Sequence, residues 1–70
     1  MNDLRTMRQI AGMSQFFAAN KSGVSRMRLS LAETDQLKLQ PEEEFAIRQV
    51  LRQAIDARRR QLEDALQANE

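Results

Sequence analysis

Apolar residues recur at spacings of three and four through the first eleven positions, at Leu4, Met7, Ile10 and Ala11. That period puts them on one face of a helix. Asp3 stands before the run as a capping residue and Gly12 closes it, so the pattern predicts a first helix over about residues 3–11. Ser14 is placed to cap a second helix that runs to about Ser22, where Gly23 can take the left-handed conformation without steric cost. Ser25 then caps a third helix within SRMRLSLAET, with Leu29 and Ala32 on a common face. Helices this short hold only by packing on one another.

Residues 35–40 follow as a connector; DQLKL alternates like a strand but has no partner strand, and is read as a loop with room for one helical turn. From Pro41 onward the helix signal is the strongest in the chain. Proline suits a first helical position, Glu42, Glu43 and Glu44 complement the positive end of the macrodipole, and neither Gly nor Pro follows. A helix from Pro41 to about Gln67 would measure about 40 Å at 1.5 Å per residue. Its first apolar stripe is predicted as Phe45, Val50 or Leu51, Ala54 and Ile55, resumed at Leu62, Ala65 and Leu66 after Arg58, Arg59 and Arg60. Either the helix bends near Ala57 and folds back, or it runs straight past the arginines. Continuity is the expectation, since nothing there disfavours helix and Arg59 with Glu63 and Arg60 with Asp64 fall at i, i+4. Such a helix outruns the core in front of it, and a second chain is its natural cover, with Leu51, Ile55, Leu62 and Leu66 as expected dimer contacts. The fold class expected is all-α and dimeric: a three-helix unit at 1–34, a connector at 35–40 and one long C-terminal helix at 41–70.

A chain of 70 residues makes one small domain with a marginal core. Cysteine and histidine are both absent, which excludes a disulfide framework and removes the usual zinc ligands and the commonest acid/base residue. Self-association is then the expected source of added stability. The four serines Ser14, Ser22, Ser25 and Ser30 have no histidine to activate them and no glycine-rich phosphate loop exists, so neither catalysis nor a cofactor or metal is expected. The longest charge-free run, residues 10–20, is too short to span a bilayer, and the first nine residues lack the apolar core of a signal peptide; a cytoplasmic protein without membrane contact is expected. The net charge of +1 conceals an asymmetry. Residues 4–32 carry Arg5, Arg8, Lys21, Arg26 and Arg28 and no acidic residue, whereas nine acidic and six basic residues follow from Glu33. A basic first half suggests that one face meets a polyanion.

Two short helices joined through Gly23 are the elements of a helix-turn-helix. Such a motif needs a small residue at the helix crossing, a left-handed residue four positions on, and apolar residues on the inner face of its second helix. Ala19, Gly23, Val24, Leu29 and Ala32 meet those demands. The run LRTMRQIAGMSQFFAANKSGVSRMRLSLAE, residues 4–33, resembles the lambda-repressor-like (Xre) helix-turn-helix family, whose members read as an Arg-rich first helix, then A-G-x-S-Q, an alanine, S-G-V-S-R and a closing I-x-x-x-E. The resemblance implies a recognition helix at 25–33 in the major groove, with the helix from Ser14 lying across the phosphate backbone. Gln15 would then touch phosphate, and Arg26, Met27, Ser30 and Arg28 would face base edges, with Ser25, Lys21 and Arg5 completing the DNA-facing set. Arg8 and Glu33 would form an internal ion pair. The chain departs from the family pattern at Phe16 and Phe17, at Ala18 in place of leucine, at Leu31 on the outer face, at TDQLKLQ in place of a glycine turn, and in a merged long helix. One phenylalanine is expected to fill the space Ala18 leaves, and the other to be exposed.

The resemblance implies a homodimeric, sequence-specific regulator, a repressor or autoregulator of the kind common in phages and mobile elements, bound to successive major grooves about 34 Å apart on a pseudo-palindromic operator in double-stranded DNA. The alternative is a small helical protein-binding module, a phage-type inhibitor or adaptor, that turns Phe16 or Phe17 and Leu31 toward a protein partner.

Overall fold

Two short helices end on left-handed glycines and a third just before a left-handed aspartate, and these three stops set the path of the first half of the chain. A computed structural model describes residues 3–68 and gives α1 (Leu4–Ala11), α2 (Gln15–Ser22), α3 (Arg26–Glu33) and α4 (Pro41–Ala68). Gly12 (φ 72°) ends α1 with its N–H on Gln9 O and the next N–H, of Met13, on Arg8 O. Gly23 (φ 77°) ends α2 with a single bond from its N–H to Ala19 O. After α3 the left-handed residue is Asp35 (φ 61°), with Asp35 N–H on Ala32 O and Gln36 N–H on Leu31 O. Aspartate thus takes the place a glycine would fill, at a conformation its short polar side chain tolerates. Ser14 and Ser25 cap as the sequence suggests, their hydroxyl oxygens accepting from Phe17 N–H and Arg28 N–H. Asp3 does not cap: its side chain accepts no bond from α1 and instead takes two from the Arg48 guanidinium, at 2.8 and 3.3 Å. A charge-assisted pair to α4 outcompetes the local cap.

The core gathers Leu4, Ala11, Ala18, Ala19, Val24, Leu29, Ala32, Leu39, Ile47 and Leu51, with Met7, Met13, Leu37, Ala54 and Ile55 packed at its margin. Helix α4 is its wall, lying against α1 and α2, while α3 packs on α2. Neither Phe16 nor Phe17 enters this core. Ala18, completely buried, keeps the position that the sequence reading gave to a phenylalanine, and small residues there let α2 approach α4 closely. The stripe of α4 also differs from expectation. Ile47 and Leu51 are its buried anchors, and Phe45 is 71 % exposed, because two positions along a helix is nearly half a turn. Leu51 therefore belongs to the protomer's own core and is closed to a second chain, and Ile10 on α1 is exposed. The connector is irregular, secured by buried Leu39.

Helix α4 is continuous through the arginines to Ala68, and every residue from Asp56 to Ala68 is exposed. The i, i+4 pairs do not form; Arg59 lies 3.5 Å from Asp56 instead, with both side chains in solvent. No helix among the described residues is long and apolar enough to cross a membrane.

Ile47→Ala should destabilise the fold by about 2–5 kcal/mol, whereas Phe45→Ala should change it by no more than about 0.5 kcal/mol; chemical denaturation of both variants checks the assignment of the stripe. Asp35→Gly should raise stability by up to about 1 kcal/mol by relieving the left-handed aspartate, read as an upward shift of the thermal midpoint.

Candidate nucleic-acid interface

The surface in question is built outward from one ion pair. Arg8 on α1 donates through Nε to Glu33 Oε2 at 2.8 Å and through Nη2 to Oε1 at 3.1 Å, and its Nη1 reaches Met13 O at 2.9 Å. Glu33 is the last residue of α3 and its side chain is nearly all buried. Gln15, at the start of α2, donates its side-chain N–H to the same Glu33 carboxylate at 3.2 Å. One carboxylate therefore fixes α1, the α1–α2 turn, the start of α2 and the end of α3. Its lone pairs take three donors, which is how a carboxylate survives burial.

That anchoring brings Gln15 beside the outer face of α3. Gln15, Arg26, Met27, Ser30 and Leu31 line one shallow open depression of about 320 Å³. Four of these are residues that the resemblance assigns to DNA contact, and half-buried Leu31 lines the depression beside them. Gln15 keeps one amide N–H and its carbonyl free of partners among the described residues, next to the open N-terminal N–H groups of α2. Arg26 starts α3, is exposed, and has no ion-pair partner among the described residues. On its other side a second depression, about 360 Å³, is lined by Phe16, Asn20, Gly23 and Ser25 together with Arg26. Phe16, Ala19, Asn20 and Gly23 stand at i, i+3, i+4 and i+7, so a single α2 face carries Phe16 up to the turn; that spacing is the signal in the sequence that links Phe16 to Arg26.

Other assigned residues lie elsewhere. Arg28 faces the start of α4, where Nε and Nη2 donate to both oxygens of Glu43 at 2.7 Å each, and it is not available to bases in this arrangement. Glu43 also accepts the N–H of Gln40, the residue before the first turn of α4, so one side chain caps α4 and clamps α3. The Arg28 guanidinium, with the Gln40 N–H, holds the Glu43 carboxyl down at about 2. Lys21 stands 5.5 Å from the ring centre of Phe17, and Arg5 is exposed on α1; neither lines the Arg26 depressions. Ala19 is buried at the helix crossing and Gly23 makes the turn, as the motif requires. Of the five basic residues in the first half of the chain, Arg8 and Arg28 are thus consumed by carboxylates, leaving Arg5, Lys21 and Arg26 as surface charge. Arg48 went unassigned in the sequence; it joins Asp3, Glu44 and Met7 and ties the start of α1 to α4.

Because the folded Glu43 carboxyl titrates near 2 against an ordinary 4.5, its clamp is fully present above about pH 4.5 and is lost as pH falls through 2. Wild type should therefore be more stable than Glu43→Gln at neutral pH, with the difference shrinking below pH 4.5 and gone near pH 2; denaturation of both across that range checks it. Compared with models of known protein families, with curated protein sequences and with solved structures, the chain gives no significant match.

Proposed function

We propose that the chain is a sequence-specific, double-stranded DNA-binding regulator that inserts α3 into the major groove, with the start of α2 against the phosphate backbone. The observation that carries this reading is Arg26. Arg8 and Arg28 are each held by two bonds to a carboxylate, while Arg26 is left exposed and unpaired at the first turn of α3, whose outer face carries Met27, Ser30 and Leu31 with Gln15 of α2 beside them. A free guanidinium there suits bidentate bonding to O6 and N7 of guanine, worth about 1–3 kcal/mol of discrimination. Met27 and Leu31 are one helical turn apart, and the apolar feature of the major groove that suits them is the thymine methyl group. Gln15 contributes an amide N–H and the α2 N-terminus to a phosphate. With so few free cations on this half, affinity should be modest and should fall with added salt.

The exposed apolar side chains favour a second reading. Phe16 is 66 % and Met27 74 % exposed, one on each side of Arg26, a composition that also fits a protein partner with an acidic residue between apolar ones.

Selection from a random duplex pool at low salt should return a preferred site containing guanine, and Arg26→Ala should weaken binding to it by about 5- to 150-fold and relax the preference at that base. No enrichment, or an Arg26→Ala protein as tight and selective as wild type, would sink the DNA reading and leave the protein-binding one.

A further inference from the structure

The last thirteen described residues of α4 form regular helix that runs past the core: every residue from Asp56 to Ala68 is exposed, with the Arg58 guanidinium reaching back over Gly12. A helix projecting alone draws nothing from tertiary packing, which supplies most helical stability. The overhang is nevertheless patterned. Ile55, Leu62 and Leu66 stand at spacings of seven and four and share one line along the helix, extending the side of α4 that meets the core. Leu62 and Leu66 are exposed, and Ile55 is half-buried against its own core. Charge is banded along the same segment: Arg58, Arg59 and Arg60 come first, then Glu63 and Asp64.

We propose that residues 55–68 of α4 pair antiparallel with the same segment of a second copy of this chain, about a two-fold axis level with residues 60 and 61. This does not depend on what α3 binds. The charge bands decide the direction. A parallel in-register pair would set one Arg58–Arg60 band beside the other and one Glu63–Asp64 band beside the other; an antiparallel pair sets each basic band beside an acidic one. The apolar line decides the register. With the axis between 60 and 61, Leu66 lies level with the partner's Ile55, and Leu62 level with the aliphatic stem of the partner's Arg59. In antiparallel helices the same flank of each copy meets across the two-fold axis. On that flank Arg59 comes within one position of the partner's Glu63, and Glu63 likewise of the partner's Arg59. Within the protomer Glu63 has no ion pair among the described residues, and Arg59 has only its 3.5 Å contact with Asp56, so both are open to the exchange. Two antiparallel registers set a leucine level with the partner's Ile55; the one that uses Leu62 would point Leu66 at buried Leu51, and the one that uses Leu66 is also the one that matches arginine to glutamate.

Arg59→Glu and Glu63→Arg test this without touching the core. Wild type should sediment as a dimer of the 8.1 kDa chain. Each variant alone should dimerise about tenfold or more weakly, because like charges then meet twice across the axis, and an equimolar mixture of the two should recover the wild-type dimer. Since the chain has no cysteine, an Ile55→Cys chain mixed with a Leu66→Cys chain should form a crosslinked heterodimer on mild oxidation, while neither should crosslink to itself. A monomeric wild type, variants that dimerise as well as wild type, a mixture that fails to recover, or crosslinking within one variant would each overturn the proposal.

Discussion

The buried pair between Arg8 and Glu33 is the constraint on which the first half of this chain depends. Three eight-residue helices have little to hold them individually. The Glu33 carboxylate takes two bonds from Arg8 and one from Gln15, and Arg8 also donates through Nη1 to Met13 O at the α1–α2 turn. All of these groups are on elements that must keep fixed angles if the outer face of α3 is to be a surface of defined shape. A buried carboxylate without those donors would be costly, so the arrangement in which all are satisfied is favoured over slipped packings that leave any of them open.

Around this centre α4 acts as a brace with two clips. Arg48 joins it to Asp3 at the start of α1, and Glu43 joins it to Arg28 on α3 while also capping its own first turn. Both clips are exposed enough that each contributes modestly alone, and the hydrophobic seam of Ile47 and Leu51 supplies the larger share. The Glu43 clip also occupies the Arg28 guanidinium, though its side chain remains partly exposed. What is left is a mixed face: one free guanidinium at Arg26, apolar Phe16 and Met27 on its two sides, and the polar groups of Gln15 and Ser30. The α3 face and the overhanging end of α4 are separate surfaces, and the two proposals drawn from them stand or fall independently.

Much of the fold is legible in the sequence because it is written in local signals. Gly12, Gly23, Ser14, Ser25 and Pro41 each act through the backbone within a turn of their own position, and the helix limits follow from them. What is not legible depends on partners far along the chain. Asp3 has the residue type of a cap, but Arg48, forty-five positions away, takes it. Arg28 has the position of a base reader, but Glu43 lies within reach only once the fold brings the start of α4 beside α3. Phe45 and Phe16 illustrate another limit. Size and apolar character suggest burial, but helical phase decides it: Ala18 and Ala19 take the buried side of α2, and Ile47 that of α4. The pair between Arg8 and Glu33 is the exception among long-range contacts, since the resemblance to a helix-turn-helix family implied it and the distances bear it out.

The most direct test is a double-mutant cycle on this pair: denaturation of wild type, Arg8→Ala, Glu33→Ala and the double variant. If the pair is the organising contact, each single change should be strongly destabilising, and the two should be coupled by about 2 kcal/mol or more, with the double variant far less damaged than the sum. A coupling below about 0.5 kcal/mol, the value expected of independent sites, would contradict the account.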